Sequence, residues 1–357
     1  MSHDQLTDLV NRRVALEARL QHETGELSET AVRSYDREYS SLQRELATHF
    51  RGATEDRQRI TSMLEMIRIL ENRLVYLQNF TVDPTSDNRM LAQLVTQFID
   101  ELSRTRSTVL TNLEATYYRA VAALYAGDVP RATEGFRDAC ASEESDEAND
   151  IKYKSYVILG NLSHEERDYA KAKDLHDQSL RYSANNNVTA QALALKALNS
   201  YALENYDEAL YLFQESLQLF DVNQPFFNSY FFRNALLFCG AIFFDRKDYP
   251  RAAEFYQRVV DNVEETSYDY FDALAHLGRI HYLKERYDDA VSSLEQALRS
   301  QKLSENEYII DTWFLIARAH LKRHDPASAR KYLERIAATD VRYDKKPQAV
   351  ELLQRIA

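Results

Sequence analysis

His320 and His324 lie four residues apart. On a helix that spacing puts two imidazoles on one face, where they could share a divalent metal. A zinc-protease helix needs a glutamate directly after the first histidine, and this chain has Leu321 there. No third ligand can be named. His320 also falls on the packing positions of its helix and His324 at the following turn, so a structural role is favoured. His276 and His281, five apart, make a weaker pair. Cys140 and Cys239 share no motif and fall at apolar helical positions, which reads as two buried thiols. With 7 glycines in the whole chain there is no phosphate-cradling loop and no nucleophile elbow. The sequence therefore predicts no catalytic residues, no metal and no cofactor, and a protein that is not an enzyme.

The elements that carry these residues are helices. Good helix formers dominate, and only 7 Gly and 6 Pro interrupt 357 residues. Hydrophobic residues make up 45%, enough for a core. The net charge is -12 with both signs interspersed, which is the pattern of solvated helical surfaces and lacks the basic face of a nucleic-acid binder. The most apolar stretch, 226–244, is broken by Asn228, Ser229, Arg233 and Asn234, so no membrane insertion is expected. No basic segment followed by an apolar run opens the sequence, and the expectation is a cytoplasmic protein. The acidic run from Glu143 to Glu147 reads as a solvated loop, with a docking patch for a basic partner as the alternative.

A pattern recurs six times. A turn residue is followed three later by alanine: Val129 and Ala132, Tyr169 and Ala172, Tyr206 and Ala209, Tyr249 and Ala252, Tyr287 and Ala290, Pro326 and Ala329. Successive turns are 40, 37, 43, 38 and 39 residues apart. Nine positions before each turn stands a small residue: Ala120, Gly160, Ala197, Gly240, Gly278 and Ala317. Four after each alanine stands a larger one: Phe136, His176, Phe213, Tyr256, Leu294 and Leu333. Small residues let two helices approach closely, the ring at the turn fills the wedge, and stacked pairs share a continuous core.

With Gly160, Tyr169 and Ala172, or Gly278, Tyr287 and Ala290, at the small, aromatic and small positions, residues 113–345 resemble the tetratricopeptide-repeat family. The period is longer than that family's ~34 residues, and the first and last repeats lack the turn aromatic. The resemblance implies an all-α fold: a right-handed superhelical solenoid of about six helix pairs. Residues 346–357, with Val350, Leu353 and Ile356 at helical spacing, read as a capping helix.

Residues 1–110 fall outside the repeat. Apolar stripes mark helices through Leu6 to Leu20, Tyr35 to Phe50, Ile60 to Leu77 and Leu91 to Leu102, with a proline-containing break at 81–87. Ile60, Leu64, Ile67, Leu74 and Leu77 run close to an a/d seam. Two readings stay open: an antiparallel bundle packed on the solenoid, or a coiled coil that joins two copies of the chain. Short heptads and breaks near Gly25 and Gly52 favour the bundle.

The resemblance also implies where a partner binds, since in that family the first helix of each pair lines the concave face. The positions just after the small residue hold Val121, Asn161, Leu198, Ala241, Arg279 and Arg318. Three further on come Leu124, His164, Tyr201, Phe244, Tyr282 and Leu321. From these, Asn161, Tyr201, Phe244, Arg279, Tyr282 and Arg318, with Lys322, are the expected groove residues. Only Asn161 and Lys154 match the family's clamp for a peptide carboxylate. The expected partners are protein or peptide segments with apolar anchors and some acidic character. The function implied is a scaffold or adaptor that organises a multiprotein assembly. The alternative is a peptide-regulated signalling switch, because some peptide-controlled regulators also join an N-terminal helical bundle to such an array.

Overall fold

The computed structural model describes residues 3–22, 29–52, 56–76, 86–104, 110–143, 145–221, 223, 229–263, 265, 267–300 and 306–356. Leu77, Gly25, Phe226, Phe227, Glu144 and most of the expected break at 81–87 lie outside them. Among the described residues there are 17 helices and no strand. The fold is all-α, built from stacked helix pairs, and it divides into two compact units, Met1–Phe232 and Arg233–Ala357.

The first unit holds α1 (His3–His22), α2 (Glu29–Gly52), α3 (Asp56–Tyr76), α4 (Ser86–Arg104), α5 (Asn112–Ala126), α6 (Val129–Cys140), α7 (Asp146–Glu165), α8 (Tyr169–Leu180), α9 (Asn186–Ala202) and α10 (Tyr206–Leu219). Each packs on the next, and α1 and α5 also reach α3. The apolar stripes of the first four helices join the first repeat in one core: Tyr39, Leu46, Met63, Ile67 and Ile99 are continuous with Tyr117, Val121 and Phe136. Of the expected seam, Ile67 is buried in that core and Ile60 packs against it. Arg13 is buried among these helices on Glu65, whose other oxygen accepts from Arg68 at 2.8 Å. A buried charge is tolerated when it is answered in this way.

Helix α11 (Ser229–Asp245) spans the division between the units. The second unit continues with α12 (Tyr249–Asn262), α13 (Tyr268–Leu283), α14 (Tyr287–Ser300), α15 (Glu307–Lys322), α16 (Pro326–Ala338) and α17 (Lys346–Arg355). Helices α12 to α17 again pack in chain order. In α17 the fully buried residue is Ala349, while Val350 and Leu353 are half-buried.

The repeated turn has one geometry. The residue two before each turn position has a left-handed backbone: Gly127 (φ 83°), Arg167 (62°), Glu204 (62°), Lys247 (61°), Glu285 (59°) and His324 (58°). Only the first is glycine, the residue for which this conformation costs nothing. The next residue caps the second helix. Asp128, Asp168, Asp248 and Asp325 each accept a backbone N–H from the first turn.

The small and large positions meet across each pair. A Cβ placed on Gly160 would lie 2.3 Å from His176 Nε2, one on Gly240 2.9 Å from the Tyr256 ring, and one on Gly278 2.5 Å from Leu294. These three pairs are thus locked by one missing side chain and one large one. The turn alanines at 132, 172, 209, 252, 290 and 329 are all buried.

Candidate partner-binding face

The expected face consists of residues one and four beyond the small position on each first helix. Asn161 and Tyr201 lie in the first unit, and Phe244, Arg279, Tyr282, Arg318 and Lys322 in the second.

The outer of these two positions carries a ring that packs edge-on against the turn aromatic of its own repeat. The pairs are His164 with Tyr169 (5.1 Å, 62°), Tyr201 with Tyr206 (5.2 Å, 69°), Phe244 with Tyr249 (5.7 Å, 61°) and Tyr282 with Tyr287 (5.5 Å, 65°). Edge-to-face contact is the favoured aromatic geometry. The four rings on the first helices stay half-buried, so in these four repeats the end of the first helix presents aromatic surface on a fixed base. The signal was the five-residue spacing between the two rings.

In the first unit a polar network holds that face. His176 is buried beneath Gly160. Its Nε2 donates to Asn161 Oδ1 at 3.2 Å, and its Nδ1 accepts from Asn199 Nδ2 at 2.9 Å. His164 Nδ1 donates to Asn199 Oδ1 at 2.8 Å. Burial, and secondarily the nearby His164, pushes His176 down to about 3, so the ring is neutral and keeps this donor and acceptor order. The oxygen of Asn161 is engaged, which leaves the amide N–H groups as what it offers outward. Val121, at the same position one repeat earlier, is buried in the core and offers nothing. It belongs to the core that the first repeat shares with the N-terminal helices.

In the second unit the charges are arranged differently from expectation. Arg279 is committed within the fold: its guanidinium meets Asp311 Oδ2 at 2.7 Å. Tyr343 donates to Asp311 Oδ1 at 2.9 Å, and Lys345 also reaches that oxygen. Asp311 is half-buried on the next first helix, so removing Arg279 would cost the fold as well as any partner. Arg318 remains available. Its guanidinium lies over Tyr282 at 5.2 Å and near Phe314 at 5.9 Å. Lys322 is exposed one turn further on. Among the described residues neither Arg318 nor Lys322 is in an ion pair.

The histidine pairs do not come together as ligands. His320 is buried, stacks on Tyr332 and sits 3.3 Å from Asp325, while His324 is an exposed turn residue. His276 stacks on Tyr256 at 4.6 Å, and burial and Arg279 push it down to about 4. Cys239 is buried as expected, but Cys140 is only half-buried beside Tyr156. Of the rings in the apolar stretch 226–244, Phe231 and Phe243 are core, and Phe238 and Phe244 are half-buried. No helix among the described residues is long and apolar enough to cross a membrane.

Two family models, each described as tetratricopeptide repeat, match residues 196–265 and 232–303. No curated protein matches the sequence. Among solved structures, the chain is similar to a signal-transduction ATPase with numerous domains and a tetratricopeptide-repeat sensor, from Pyrococcus horikoshii. The identity is 15%, over 90% of this chain and 49% of that one, with a TM-score of 0.54. It is similar also to YrrB, described as a tetratricopeptide protein with an unusual peptide-binding site (17% identity, 62% and 98% covered, TM-score 0.45). A third is MamA from Desulfovibrio magneticus RS-1 (17% identity, 57% and 96% covered, TM-score 0.42). The two family models identify tetratricopeptide repeats in residues 196–303, and the repeat frame and the ring-on-ring turns show the same pattern in the helix pairs on either side.

Proposed function

We propose that the first-helix face of the second unit binds segments of protein partners, and that the chain thereby acts as a scaffold or adaptor in a multiprotein assembly. The observation that carries this is the group at Tyr282, Arg318 and Lys322. A half-buried ring is held edge-on by Tyr287 and overlaid by a guanidinium that no carboxylate among the described residues engages. Aromatic residues and arginine are the side chains that anchor interfaces most strongly. An apolar anchor flanked by a carboxylate fits this group, and Tyr201 and Phe244 present similar rings at the equivalent positions.

The test uses the full chain as bait, with partners quantified by mass spectrometry. Arg318→Glu with Lys322→Glu should deplete specific partners strongly. Arg299→Glu with Lys331→Glu, the same charge change on second helices α14 and α16, should leave them. Equal recovery with both double variants would refute the reading.

A further inference from the structure

The second unit pairs charges from one first helix to the next. Arg233 on α11 meets Asp269 on α13 at 2.8 Å, and Arg279 on α13 meets Asp311 on α15 at 2.7 Å. Asp311 stands six residues before the small residue of its helix, Ala317, and Arg279 one residue after the small residue of its helix, Gly278. The same two slots occur one repeat earlier. Asp272 stands six before Gly278, but the residue one after Gly240 is Ala241. The acid is repeated and its cation is not.

The contacts between α11 and α13 put Ala241 and Asp272 opposite each other. Phe244 packs against His276 at 5.6 Å. Ala241 lies one helical turn before Phe244, and Asp272 one turn before His276. Arg233 and Asp269 join the same two helices on the other side. Among the described residues, the groups facing Asp272 supply no cation in contact. His276 Nε2, at 3.8 Å, belongs to a ring that burial keeps neutral, Asp269 is an anion held by Arg233, and Arg279 is held by Asp311. Tyr268, 45% exposed, stands at the start of the same helix. The Asp272 side chain keeps 33% of its surface, so the slot is open to solvent.

We propose that this vacant slot receives an arginine side chain from a protein partner, its guanidinium pairing with Asp272 and covering Ala241 as the Arg279 guanidinium pairs with Asp311 one repeat on. The slot matches such a group in charge, and the Phe244 and His276 rings one turn away offer aromatic surface to a planar guanidinium. The difference between the two carboxyls agrees. Burial, with repulsion from Asp269 and only partial relief from Arg279, pushes Asp272 up to about 6. At Asp311 burial acts the same way, but the hydrogen bonds of Lys345 and Tyr343 and the charge of Arg279 hold it below its ordinary value. An arginine at this slot would sit on the same partner segment as the acidic group met by Arg318, so the inference rests on the first helices being the binding face.

The experiment follows the Asp272 carboxyl carbon by NMR in the full chain. The probes are N-acetyl-arginine amide and its neutral isostere N-acetyl-citrulline amide. Arginine amide should shift the Asp272 signal and bring its titration midpoint down toward the ordinary carboxylate range, and citrulline amide should not. Ala241→Arg, checked for native helicity, should lower the midpoint without any probe and abolish the response. Should that variant fail to fold, Asp272→Asn should lose arginine-amide binding seen by saturation transfer. An equal response to citrulline, an unchanged midpoint in folded Ala241→Arg, or retained binding in Asp272→Asn would each overturn the proposal. Failure of the binding face as a whole is read separately, from the Arg318 and Lys322 baits.

Discussion

Gly160 and His176 occupy one space between them: the imidazole Nε2 lies 2.3 Å from where a Cβ at position 160 would stand. The ring is fixed there by Asn161 and Asn199 and has nowhere to retreat. Gly160→Ala should therefore destabilise the first unit by about 1–3 kcal/mol, the usual cost of overpacking. Trimming the ring as well, in Gly160→Ala with His176→Ala, should cost less than the sum of the single changes, because the clash is gone. Denaturant melts of the four proteins check this, and strict additivity would mean the two positions do not meet.

The same histidine sets a pH dependence. In the unfolded chain His176 binds a proton near its ordinary value of 6.5, and in the fold not until about 3. Between those values the unfolded chain holds more protons, so stability is complete above pH ~6.5 and falls as the pH drops. His276, pushed down to about 4, acts in the same direction. Asp272, pushed up to about 6, acts in the opposite one, favouring the fold on acidification. Urea midpoints from pH 7.5 to 4.5 should decline in the wild type and decline less in His176→Gln, which keeps a donor and an acceptor but no titration. Parallel curves would remove His176 from the explanation.

Lys247 has a left-handed backbone (φ 61°) at an exposed turn. A residue with a Cβ loses roughly 1–2 kcal/mol in that conformation, while glycine costs roughly 0.5–1 kcal/mol in added chain entropy when unfolded. Lys247→Gly should raise stability by about 0.5–1 kcal/mol, visible as a higher melting temperature. Its equivalent in the first repeat, Gly127, already uses this solution, so Gly127→Lys should lower stability.

The repeat was legible in the sequence because its physics is local in type: a small residue and a large one recur sixteen apart, and Gly160–His176, Gly240–Tyr256 and Gly278–Leu294 do meet. The ring pairs at the turns were also readable, since both members belong to one repeat. The ion pair of Arg279 was not legible because its partner, Asp311, lies 32 residues away on another helix, and in the sequence that acid looks like any solvated charge. The recurrence of an acid six residues before the small position, at Asp272 and Asp311, was the available clue. Val121 falls on the face by the repeat alone, yet it is buried in the core that the first repeat shares with the N-terminal helices, which lie outside the repeat.

The binding face can be tested directly by placing a photo-cross-linking residue in the second unit and exposing the chain to its native lysate. At position 282, on the first-helix face, it should yield partner adducts that depend on Arg318 and Lys322. At Gln257, exposed on second helix α12, it should yield none above background. Adducts at 257 alone, or equal adducts at both positions, would contradict a partner-binding face built from the first helices.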